Sequence, residues 1–134
     1  MQKISLEALA RQQLKAAVGS VSGRAADTVF GGHEKTLRQT VIGLVAGTQL
    51  AEHENPGEST IYVLRGRVRM LVGEVIWQAR TGDLLIVPNA RHSLEAVEDS
   101  AILMTVSKLA GRSTPVTASI PILLVQEPAL PSAP

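Results

Sequence analysis

The chain has 134 residues, 45% of them hydrophobic and 19% charged, enough apolar material for one globular domain with a real core. Its net charge of +1 gives no electrostatic case for a nucleic-acid or anionic-membrane partner, and its three aromatic residues, Phe30, Tyr62 and Trp77, supply almost no stacking surface for bases. The absence of cysteine excludes a disulfide frame, a thiolate zinc site and a cysteine nucleophile, and fits a reducing compartment.

In chain order, the N-terminal residues carry charge throughout and lack the apolar stretch of a signal peptide, so a cytoplasmic location is expected. Residues 5–18, SLEALARQQLKAAV, predict a short helix: Ser5 suits the N-cap and Glu7 the first turn. Leu6, Leu9, Ala10, Gln13, Leu14 and Ala17 form one mainly apolar stripe that needs a larger surface to pack on. The cluster GSVSG then breaks the helix.

Beyond it the hydrophobic period becomes two. Strands are predicted at 36–45, 59–64, 67–72, 75–79, 84–87, 92–96 and 101–107, each bounded by turn-forming residues such as Asn-Pro-Gly, Arg-Gly and Thr-Gly-Asp. Arg67 and Arg69 alternate with Val68 and Met70, which leaves one face of that strand wet. Many short strands at even spacing point to an all-β sandwich or barrel. Five of the seven prolines fall in 115–134, so this stretch reads as a Pro-rich extension on a single domain of residues 1–114, although ASIPILLVQ within it is apolar. No apolar run reaches the length of a membrane span.

Two stretches carry candidate chemistry. In the first, Gly47 precedes AEHENPGEST, with His53, Asn55, Glu58 and Ser59, and Gly66 follows it; in the second, Gly82 and Pro88 lead to His92. This pair resembles the two-motif pattern of the cupin superfamily over roughly residues 36–107. The resemblance implies an RmlC-like double-stranded β-helix, or jelly-roll, barrel. In metal-binding members, two histidines and a glutamate of the first motif join one histidine of the second. Here His53 matches the first histidine, and Asn55 stands in the place of the second. The glutamate's place falls on Ser59, with Glu58 one residue early, and His92 arrives one residue sooner than the pattern, so the metal motif is degenerate.

Two functions of different class follow. One is a small-molecule-binding cupin without a metal, its ligand held at the barrel mouth by His53, Asn55, Ser59 and His92. The other is a metal-dependent enzyme of dioxygenase, isomerase or decarboxylase type, with His53, Glu58 and His92 holding Fe, Mn, Ni or Zn; the Asn-Pro-Gly turn would have to swing Glu58 inward. A purely structural or partner-binding role, with the pocket closed by side chains, is a third outcome. His33 reads as a surface-loop residue that is a further candidate at the mouth, and Arg91 as one that would reach an anionic ligand there. Ser59 and Ser93 have no triad framing, and Gly31-Gly32 no phosphate-loop context. The resemblance also implies a homodimer, formed through sheet edges and terminal segments, with the apolar IPILLV as a cover for an edge.

Overall fold

The computed structural model describes residues 1–53 and 57–107, with Glu52 and His53 described by their backbone only. The Pro-rich extension and Asn55 therefore lie outside the described residues. Helix α1 (Leu6–Val18) is followed by nine strands: β1 (Arg24–Phe30), β2 (Leu37–Leu44), β3 (Gln49–His53), β4 (Glu58–Arg65), β5 (Arg67–Val72), β6 (Val75–Arg80), β7 (Leu84–Ile86), β8 (His92–Ala96) and β9 (Ser100–Ser107).

The strands form two antiparallel sheets, ordered β1-β2-β9-β4-β7 and β3-β8-β5-β6. The sheets face each other across one aliphatic core. Ile42, Leu44, Ile61, Val63, Leu85 and Ile102 come from the first sheet, and Val68, Met70, Ala79, Leu94 and Ala96 from the second. This is the jelly-roll arrangement, in which each strand buries alternate residues between two layers. The alternation is sharp in β5, where Val68 and Met70 are buried while Arg67 and Arg69 face outward. Arg69 pairs there with Glu95 on β8 at 2.9 Å.

Helix α1 begins as its sequence dictates. The Ser5 side chain accepts a hydrogen bond from the Ala8 amide at 3.2 Å, and Glu7 and Lys15 complement the two ends of the helix dipole. Ala10 and Ala17 are the buried residues of its stripe. The helix lies on the outer face of the five-stranded sheet, mainly over β2, where Gly43 admits its backbone.

Two strands escape the hydrophobic period. In β1 no residue is fully buried; it is an edge strand whose Ala25 and Val29 are only half-covered, so its alternation is faint. In β3 the period itself breaks: Leu50 pairs with Leu94 and His53 with His92, so three steps along β3 match two along β8. That is a β-bulge, which inserts one residue and shifts the phase of everything after it. Gly66 marks the corner between β4 and β5 at φ +88°, a left-handed conformation that glycine adopts without penalty.

Candidate functional site

Chain connectivity gathers the candidate residues at one end of the sandwich. Residues 54–57 link His53 at the end of β3 to Glu58 at the start of β4, and residues 87–91 link the end of β7 to His92 at the start of β8. Such short links keep these strand ends together, so His53, Ser59 and His92 share this end of the barrel.

His92 is the best-defined of them. It opens β8 on the face that also buries Leu94 and Ala96, and only 5% of its surface is exposed. Its Nδ1 lies 2.9 Å from the carbonyl oxygen of Ala90. A carbonyl only accepts, so Nδ1 carries a proton and donates to it. The sequence PNARHS builds this locally: the carbonyl that fixes the ring lies two positions before it, in the turn that leads into β8.

On β3, the bulge brings the His53 backbone opposite that of His92. Without the extra residue, position 53 would fall out of step with position 92. On β4, Ser59 belongs to the face of Ile61 and Val63, which line the core, and is half-buried; its carbonyl accepts from the Val87 amide at 3.1 Å. Glu58 is exposed on the opposite face, shared with Thr60 and Tyr62. Successive side chains of a strand point to opposite faces. A metal set of His53, Glu58 and His92 would therefore require Glu58 to leave its strand position. Among the described residues, no three histidine, aspartate or glutamate side chains lie together as ligands.

His33 is exposed in the loop between β1 and β2, and Arg91 is exposed beside His92. That loop adjoins the same end, since Leu37 begins the strand whose partner β9 finishes beside Glu58. Arg38 was not singled out by motif, yet it sits on β2 in phase with Ile42 and Leu44, on the face that turns toward the core. The alternation of LRQTVIGL carried that signal.

The sequence matches the cupin domain family over residues 40–107. No curated protein matches it. Among solved structures, it is similar to a conserved protein of unknown function from Streptococcus pyogenes, with 23% identity, a TM-score of 0.60, and 66% of this chain and 77% of that one covered. An RmlC-like cupin from Desulfovibrio desulfuricans aligns at 25% identity and TM-score 0.56, over 63% and 82% of the two chains. KdgF from Halomonas sp. aligns at 20% identity and TM-score 0.56, over 66% and 82%. With the family match spanning half of the sequence and the jelly roll carrying it, this chain belongs to the cupin domain family.

Proposed function

We propose that this cupin binds a small organic molecule at the barrel end where His53, Ser59 and His92 meet, with Asn55 of the first motif as a further polar contact, and that it does so without a catalytic metal. One observation carries the proposal: a buried imidazole, oriented by the Ala90 carbonyl, opens the strand face that also buries Leu94 and Ala96 at this end. An apolar wall with a few oriented polar groups is the usual make-up of a ligand site. The outward position of Glu58 supports the metal-free form, since its strand places it on the face opposite Ser59, where the motif's glutamate would stand. We further propose a cytoplasmic homodimer; among the described residues, no helix is long and apolar enough to cross a membrane.

Elemental analysis of protein purified without a metal-affinity tag tests the metal-free form. The expected content is below about a tenth of an equivalent of any transition metal, with no gain on reconstitution. A stoichiometric Fe, Mn, Ni or Zn that is lost in both His92→Ala and Glu58→Gln would overturn it in favour of the metal enzyme.

A further inference from the structure

We infer that the ligand of this site is an organic anion, and that Arg38 is the residue that selects it; the inference rests on the pocket proposed above and adds the chemistry of its occupant. Arg38 lies on β2 two residues before Thr40, in the same phase as Ile42 and Leu44, which are core residues. The β2–β9 ladder runs without a bulge from Leu37 to Leu44, so this phase is unbroken along the strand. Arg38 thus stands on the core-facing side of the first sheet, at its open end, with its side chain exposed.

The ladder also fixes its neighbours. Val106 on β9 pairs with Arg38 on one side and with Ser59 on the other. Arg38 and Ser59 therefore flank one residue in a single row, their Cα atoms two strand spacings apart, roughly 10 Å. A long arginine side chain spans much of that gap. The row leads onto the end where His92 opens β8.

Arg38 shares an unpaired side chain with Arg65 and Arg80 among the described residues; what sets it apart is its place in one row with Ser59. Arg11, Arg67 and Arg69 each face a carboxylate, Glu7, Glu98 and Glu95 respectively. Arg24 donates to the Gln49 carbonyl. Among the described residues, the Arg38 side chain has neither an ion pair nor a hydrogen bond, and the same holds for the hydroxyl of half-buried Ser59. A cation and a hydroxyl donor are thus aligned in one row on the pocket side of the sheet, and no described carboxylate forms an ion pair with Arg38. Arginine presents a planar fork of N–H donors that matches a carboxylate, and charge-assisted hydrogen bonds are the strong ones. A small organic acid would accept from Arg38 and Ser59 with its carboxylate, while its carbon skeleton meets the aliphatic wall of Val106 and Val87.

The test uses the three-histidine chain itself, since His92 can be followed by its ring resonances and assigned with His92→Gln. Lactate, malonate, succinate and benzoate are titrated in parallel with the primary amide of each. The expected result is that at least one acid shifts the His92 ring saturably while its amide does so at least about tenfold more weakly. In Arg38→Gln the acid's affinity should fall roughly ten- to a hundredfold, the range of one lost charge-assisted hydrogen bond, with Arg38→Lys in between. Arg38 is exposed, so neither variant should disturb folding. If the amides bind as tightly as the acids, or Arg38→Gln binds the acid as tightly as the native chain, the pocket stands and the anion assignment is wrong. If neither series moves the His92 ring, the pocket and the anion assignment fall together.

Discussion

Ser100 shows how much one hydroxyl can hold. It is fully buried at the start of β9. Its Oγ accepts from the Arg67 amide at 3.0 Å, and its proton is shared between the carbonyls of Glu98 at 2.7 Å and Arg67 at 3.0 Å. Gly66, next to Arg67, presses so close that a Cβ there would strike the Asp99 carbonyl and Ser100 Oγ. Removing the hydroxyl would leave a backbone N–H in the corner without its acceptor, a loss of about 1–3 kcal/mol. Ser100→Ala is therefore expected to lower the unfolding free energy by that amount in urea titration, with the denaturant slope unchanged; a loss under about 0.5 kcal/mol would mean that water takes the hydroxyl's place. The glycine of this corner is legible in the sequence, because Arg-Gly between two alternating runs reads as a turn. The serine is not, because nothing local separates a buried serine at a strand start from an exposed one. The site residues divide in the same way. His53 and His92 stand out by spacing between glycines, and Ser59 by its place in that spacing. Arg38 lies outside both motifs, and only the phase of its strand reveals it.

At the scale of elements, the helix and β2 are built for each other. Gly43 sits within β2, next to its last residue, and a glycine inside a strand ordinarily costs stability and so marks a close backbone approach. A Cβ at that position would run into the carbonyl and peptide of Gln13 and the amide of Leu14, all backbone atoms that cannot swing aside. Gly43→Ala must lift α1 off the sheet or bend it. Overpacking of this kind costs about 1–3 kcal/mol. The expected signature is local: amide exchange speeds up across α1 while the amides of β4, β5 and β9 keep most of their protection. Uniform loss of protection would show instead that the helix and barrel unfold as one unit. The helix itself was readable from its cap, stripe and breaker, and the structure starts it one residue after the Ser5 cap. Most strand bounds were readable to within a residue. The bulge in β3 was not, since a register shift is a property of two strands and no single strand's period contains it. Yet the bulge is what aligns position 53 with position 92.

At the scale of the whole molecule, edge strand β7 carries an apolar surface that the described residues do not cover. Edge strand β7 pairs with β4 on one side, and no described strand pairs with its other side. It buries Leu85 inward, yet Leu84 and Ile86 on the outward face are 55% and 68% exposed, and Tyr62 opposite Leu84 is 37% exposed. A strand with one wet face normally carries polar residues there; apolar residues on both faces fit a strand covered on both. Apolar edges also invite pairing unless something blunts them. The proposed self-association through this edge would account for both features, and a two-fold dimer would bury the same patch twice. Sedimentation of the full chain is expected to give a homodimer, and Ile86→Lys to shift it toward monomer. A chain ending at residue 114 separates the two sources of cover. If the dimer weakens in that chain as well, the apolar segment at 118–126 contributes to it; if the dimer is unchanged, the sheet edge suffices alone. A full-length chain that stays monomeric at high concentration would reject the dimer, and the outward leucine and isoleucine of β7 would then need another partner.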